Sequence, residues 1–370
     1  MSKSAVFIAA TGQNVGKTTL CLGTIAALRK RFSSVGFIKP VGQQHVRISD
    51  DLIVDKDVVL FKRYFDLPSE WKDMSPVIIP PGFTRHYLDG EITLQPLLDQ
   101  IRSSFQKIHE SHSYTIVEGT GHVGVGSIVD LNNAKVAALL GLDMVIIVPG
   151  GLGSAFDEVS LNLAMCEKLG VKVRGVILNR VLDEKRDMVK KYFTKALDKY
   201  GIPLLGCVPY NEFLSNPTIR DFEALFNTSL ITGDEHHYRH FKHTRLVAGS
   251  LEKYQQDLVS NELIITPASR TEIIQENIKH HRLYLERGED FQGGMILTGD
   301  QAPSDELIQE IQSMNIPTLY TPICSYDAMK MITSYIAKIR LKDTPKIEQA
   351  ITLVERHVDF DALATAKVRG

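Results

Sequence analysis

Cysteine is scarce and poorly spaced for cross-linking. The four present, Cys21, Cys166, Cys207 and Cys324, show none of the paired spacings of a zinc site or a secreted disulfide framework, so all read as reduced thiols. Charge of one sign is lacking too. With 42 Lys and Arg against 44 Asp and Glu the formal charge is -2, and no global field draws the chain toward nucleic acid or an anionic membrane. Long apolar runs are also missing. MSKSAVFIAATG reaches its glycine after too short an apolar stretch for a signal peptide, and no later segment approaches ~18 uninterrupted apolar residues. A cytoplasmic protein is expected, with neither nucleic acid nor a membrane as partner. No internal repeat or low-complexity tract is visible.

What is present suits a globular protein with a sizeable core: 44% hydrophobic, 23% charged and 8% aromatic residues. A chain of 370 residues exceeds what one core usually organises, which favours two domains.

Apolar runs bounded by turn residues recur at Ala5 to Ala10, Val35 to Ile38, Tyr114 to Val117, Met144 to Val148, Val173 to Leu178 and Pro203 to Val208. They read as buried strands. Segments of helical length lie between them, at Thr18 to Phe32, Ala134 to Leu140, Phe156 to Leu169 and Glu184 to Tyr200. Strands alternating with helices predict an α/β fold with a doubly wound, mostly parallel sheet, whose ligands gather beyond the carboxyl ends of the strands. After about Arg220 the pattern weakens into DEHHYRHFKH, which reads as a solvated linker in preference to a histidine metal site. A second, smaller α/β unit follows, with strands expected at Leu263 to Ile265, Met295 to Leu297 and Thr318 to Tyr320 and helices beginning near Arg270 and Ser304. The expected organisation is a first domain over 1–225, a second over 226–345 and a helical tail over 346–370.

The most specific signal is the first strand running into TGQNVGKTT and then a helix, the order of a P-loop. Gly12 and Gly16 let backbone approach a phosphate, which the amides of Gln13, Asn14 and Val15 and the helix N-terminus cradle. Lys17, Thr18 and Thr19 follow, with Lys17 and Thr18 able to reach the terminal phosphates and Mg²⁺. The usual pattern opens on glycine, whereas Thr11 stands here. Lys39, after the second strand, is either a second phosphate-directed cation or a solvated lysine. Mg²⁺ needs one or two carboxylates. Glu118 ends an apolar strand in YTIVEGTGH, while Asp55 and Asp57 open an expected helix in VDKD, where Asp57 is either a Mg²⁺ ligand or a helix-start charge. Asn179 offers both donor and acceptor to a base edge, or else serves as a cap.

Over its first ~225 positions the chain resembles dethiobiotin synthetase, through FIAATGQNVGKTT, IKPV, the VDKD acids, IVEGTG, ILNRV and LGCVPYN. Over nearly its whole length it resembles the amino-terminal half of long bacterial phosphate acetyltransferase, a synthetase-like domain joined to a DRTGG domain, through VDLNNAKVAALLG, PGGLGSAFDE, NELIITPASRTEII, GGMILTGD and HVDFDAL. The resemblance implies Mg-ATP as ligand. Lys17, Thr18 and Lys39 would contact phosphates, the two lysines stabilising transferred charge. Thr18, Asp57 and Glu118 would surround Mg²⁺, and Asn179 with Pro209 would flank the adenine. It also implies a regulatory or oligomerising second domain, hence a homodimer or higher homo-oligomer and a small-molecule ligand for that domain.

Two departures shape the functional expectation. GQQHVR replaces the small serine-bearing loop after the synthetase's KPV, and Ser269 stands where an acid often precedes the equivalents of Arg270 and Thr271. The chain is therefore expected to be an ATP-binding regulatory or sensory protein with slow hydrolysis. The alternatives are an ATP-dependent ligase transferring phosphate to a carbamate or carboxylate, and a non-catalytic subunit of a split phosphate acetyltransferase system. The acetyl-transferring domain is expected to be absent.

Overall fold

The computed structural model describes residues 3–364, which divide into two compact units. The first runs to Asn211 and resumes at Ile339, and the second comprises Glu212–Lys338.

The first unit is built on a six-stranded sheet. Its strands are β1 (Ser4–Ala10), β2 (Val35–Ile38), β3 (Tyr114–His122), β4 (Met144–Pro149), β5 (Val173–Val181) and β6 (Leu204–Pro209). They lie in the order β6-β5-β4-β1-β3-β2, and every pairing is parallel. All seven residues of β1 are buried, which explains why SAVFIAA is an unbroken small and apolar run instead of an alternating one: a central parallel strand has no solvent face. The chain moves to one side of β1 for β2 and β3 and to the other for β4, β5 and β6. The carboxyl end of β1 therefore faces a topological switch point, where such sheets place their ligands.

Helix Lys17–Arg29 follows β1 and buries Leu20 to Ile25, Ala27 and Leu28. Its outer cover comes from far away in sequence. Helix Thr344–His357 buries Ile347, Ala350 and Val354 against it, and a Cβ on Gly23 would sit 2.3 Å from that of Val354. Lys30 pairs with Glu355 at 2.6 Å, and the amide of Asp359 donates to the Leu205 carbonyl at 2.7 Å. The segment expected to be a separate tail from 346 thus returns to the first unit, because its apolar stripe needs a face to cover. The second unit correspondingly begins at Glu212, before the expected boundary at 225.

Beside the edge strand β2 lies an antiparallel hairpin, His45–Ser49 with Leu52–Asp55, and a short parallel pair, Val41–Gly42 with Val77–Ile78. Sequence pattern missed both, because the hairpin's first strand is exposed along almost all its length and carries no apolar run.

The second unit holds a five-stranded sheet of β7 (Leu230–Thr232), β8 (His243–Leu246), β9 (Glu262–Pro267), β10 (Gly294–Thr298) and β11 (Thr318–Thr321). The order is β7-β11-β10-β9-β8, with β7 antiparallel at its edge. Both faces are covered. Ile264, Met295 and Leu297 pack with Ile273 and Ile274 on one side, while Leu263, Ile265 and Ile296 pack with Phe222 and Ile219 on the other. The histidine-rich stretch is not a linker. His237 pairs with the buried Glu223 at 2.8 Å, the His240 ring lies 4.4 Å from that of Phe213, and His243 opens β8. Among the described residues no group of three or more His, Cys, Asp or Glu side chains is placed to hold a metal ion, and no helix is long and apolar enough to cross a membrane.

Candidate nucleotide site

The loop from Thr11 to Gly16 joins β1 to helix Lys17–Arg29 at the switch point. Its shape depends on two left-handed residues, Asn14 at φ 57° and Gly16 at φ 100°. Gly16 is required by contact as well as by angle, since a Cβ there would meet the Asn179 amide nitrogen at 2.2 Å. Gly12 differs: a Cβ would meet only Val15 Cγ2, at 3.4 Å, so nothing inside the protein demands glycine at that position. Gln13 and Asn14 are exposed, Val15 is buried, and Thr18 and Thr19 are partly buried in the first helical turn.

Two side chains fasten this loop. Asn179, at the end of β5 and buried, donates from Nδ2 to the Val15 carbonyl at 2.7 Å. Thr11, also buried, donates its hydroxyl to Glu158 Oε2 at 2.7 Å. Glu158 lies on helix Gly153–Lys168 with Asn162, whose Oδ1 accepts from the amide of Val123 at 3.0 Å. That helix therefore holds both the P-loop and the loop closing β3. Asn133 braces the same loop, accepting from the Thr120 amide at 3.0 Å and donating to the carbonyls of Thr120 at 2.8 Å and His122 at 2.7 Å. Sequence reading missed Glu158, Asn162 and Asn133. Only the Thr11 departure from the glycine pattern hinted at the first.

Lys17 donates to the backbone carbonyl of Gly121 at 3.1 Å and approaches that of Gly12 at 3.4 Å. Burial lowers its pKa, with Glu118 opposing and Lys39 adding to the fall. Lys39 is buried and holds two carboxylates: Asp55 Oδ1 lies 2.9 Å from Nζ, and Asp57 Oδ2 is a second ion-pair partner. Burial alone would depress the Lys39 ammonium, but Asp57, Glu118 and Asp55 together raise it, so it stays charged. Burial likewise pushes Asp57 up, and the Lys39 charge and hydrogen bond bring it below the usual carboxylate range.

Asp55, entirely buried, is consumed structurally. It caps helix Lys56–Tyr64 by accepting from the Asp57 amide at 3.0 Å, accepts also from the Gln44 amide, and donates its own amide to Ser75 Oγ at 2.9 Å. Asp57 is thus more than the helix-start charge that sequence alone allowed. It shares Lys39 with Asp55 beside the P-loop.

Glu118 completes the cluster from β3, in register with Ile8 of β1. It is 1% exposed, and its Oε2 has no hydrogen-bond partner. Burial pushes its carboxyl up to about 8, with Lys39 opposing and Asp57 reinforcing. A buried carboxylate oxygen without a partner is costly. Beside a phosphate-type loop it has the chemistry of a hard-cation ligand, so the residues present fit Mg²⁺. Pro209 is buried at the end of β6, with β5 and β4 lying between that strand and β1.

With this geometry in place, comparison with known proteins is informative. The AAA domain family matches residues 4–218, more than half of the chain, and the DRTGG domain family matches residues 224–335. The chain belongs to the AAA domain family. Its first unit has the P-loop NTPase fold. The phosphate acetyltransferase of Pseudomonas aeruginosa is 27% identical over 380 residues, covering 96% of this chain and 51% of that protein. The chain thus spans about half the length of the curated acetyltransferases it matches. The ATP-dependent dethiobiotin synthetase BioD of Methanocaldococcus jannaschii is 25% identical over 230 residues, covering 61% of this chain and 99% of that protein. Among solved structures, the MinC:MinD cell division protein complex of Aquifex aeolicus aligns with a TM-score of 0.37 and 16% identity, over 57% of this chain and 83% of the other.

Proposed function

We propose that this protein binds Mg-ATP at its P-loop and acts as a regulatory or sensory protein with slow hydrolysis. The observation that carries the reading is the unpartnered, buried Oε2 of Glu118 beside the loop that presents Lys17 and Thr18. In this reading the amides from Gln13 to Thr19 and the ammonium of Lys17 hold the phosphates. Thr18, Asp57 and Glu118 hold Mg²⁺, which would neutralise phosphate charge there. Asn179 and Pro209 border the adenine, with the Asn179 amide nitrogen already committed to Val15. The DRTGG unit is assigned a ligand-sensing or assembly role, in a homodimer or higher oligomer.

Lys39 favours regulation over group transfer. A lysine that stabilises a transferred phosphoryl must offer its charge to the substrate, and here Asp55 and Asp57 already share it. The second reading is an ATP-dependent ligase, favoured by a match covering 99% of a dethiobiotin synthetase.

Calorimetric titration with ATP, ADP and GTP in Mg²⁺, followed by phosphate release with and without a diamine plus bicarbonate, tests the proposal. Binding with no stimulated turnover is expected. Turnover that rises on adding diamine and bicarbonate would make the protein a ligase, and absence of nucleotide binding would end both readings.

A further inference from the structure

The first unit carries a cavity of about 330 Å³ outside the phosphate loop, between the hairpin, the segment from Lys72 to Pro80 and helix Leu94–Ser111. At about 30 Å³ per water it has room for roughly ten waters, hence for a ligand of about that many non-hydrogen atoms. Lys72, His45, Asp51 and Gln100 line it. The side chains of Lys72, His45 and Asp51 have no hydrogen-bond or ion-pair partner among the described residues, unlike those of the lysines and aspartates around the P-loop. Gln100 has committed its amide nitrogen to the Pro76 carbonyl at 2.7 Å, which leaves its carbonyl oxygen as an acceptor. Leu52, Ile53, Ile78 and two prolines complete the lining with apolar surface.

A wall offering an ammonium beside an imidazole, a carboxylate with an amide acceptor, and aliphatic carbon matches a zwitterion with an aliphatic body. We propose that this cavity binds a free aliphatic α-amino acid, its carboxylate toward Lys72 and His45, its ammonium toward Asp51 and the Gln100 carbonyl, and its side chain against Leu52, Ile53 and Ile78.

The cavity is wired to Lys39. Ser75, in its wall, accepts the amide of Asp55, whose carboxylate grips Lys39. The backbone beside the wall also pairs with the segment from Lys39 to Gly42: the Lys39 amide donates to the Met74 carbonyl at 2.9 Å, the Val77 amide to that of Pro40 at 3.2 Å and the Ile79 amide to that of Gly42 at 2.9 Å. An occupant would therefore bear on the ion-pair cluster without entering it. The inference does not depend on what the P-loop binds.

The test is titration of L-leucine into the full-length protein without nucleotide, beside 4-methylpentanoate, which lacks the ammonium, and L-leucinamide, which lacks the carboxylate. L-leucine is expected to bind and both truncated probes to bind about tenfold more weakly or worse, each having lost a charge-assisted contact. Lys72→Ala and Asp51→Ala, both at exposed positions, should each weaken L-leucine by a similar factor while keeping the wild-type urea midpoint. Failure of L-leucine, L-isoleucine and L-valine alike to bind would overturn the proposal. So would equal affinity for 4-methylpentanoate, or an affinity unchanged by both substitutions.

Discussion

Asn179 and Gly16 are fitted to each other: the Asn179 side chain donates to the Val15 carbonyl at 2.7 Å, occupying the space that any Cβ on Gly16 would fill. The end of β5 is thereby locked to the phosphate loop, and the lock separates two roles for Asn179.

If Asn179 fastens the loop, Asn179→Ala weakens ATP and GTP by the same factor and lowers stability by about 1–3 kcal/mol, the cost of a buried hydrogen bond left half made. If it reads the base instead, the variant loses discrimination between the two nucleotides with little change in stability. Parallel calorimetric titrations and a urea melt decide, and equal weakening with a lowered midpoint is expected.

Lys39 supports the fold as well as the site. Lys39→Met strands Asp55, which is fully buried, and Asp57, whose side chain is 15% exposed. Breaking a buried ion pair from one side costs about 3–5 kcal/mol, so a drop of that order in unfolding free energy is expected in urea. A midpoint within experimental error of wild type would contradict the buried network.

This network shows where sequence stops being informative. IKPV and VDKD are separately legible, but nothing in either says that Lys39 reaches forward across 16 and 18 residues to hold Asp55 and Asp57. The six strands of the first sheet were legible because parallel strands covered on both faces read as apolar runs. The hairpin at His45–Asp55 and strand β8 were not, since exposed edge segments such as HVRIS and HTRL carry no such mark. Helix Thr344–His357 was readable as a helix. What it covers was not, because its partner, Gly23, is a small residue more than 300 positions earlier. At the candidate site, pattern singles out the P-loop residues and Glu118, whereas Glu158, Asn162 and Asn133 act through tertiary hydrogen bonds that leave no local signature.

The second unit should be sensitive to acid through His281. This imidazole is 4% exposed, its Nε2 has no hydrogen-bond partner, and its ring meets Phe291 edge-on at 4.9 Å. Burial lowers its pKa to about 3, with Asp290 opposing and Arg239, His236 and His280 reinforcing the fall. A histidine that stays neutral when folded but protonates near 6.5 when unfolded makes the unfolded state bind more protons between those values. Stability contributed by the neutral form is therefore complete above 6.5, falls as the pH drops below it, and stops falling near 3. The expected loss is roughly 2 kcal/mol between pH 7 and pH 5. Urea melts at the two values should show it in the wild type and show a smaller loss in His281→Gln. An identical loss in both would assign the acid sensitivity elsewhere.

The most direct test of a Mg-ATP site at the P-loop is calorimetric titration of Mg-ATP into wild type and Lys17→Ala. In the wild-type structure this lysine rests on the carbonyls of Gly121 and Gly12, a contact that a phosphate would replace. Wild type is predicted to bind, and the variant to bind about a hundredfold more weakly for loss of one charge-assisted contact in a partly desolvated cradle. Equal affinity in the two proteins would contradict the account.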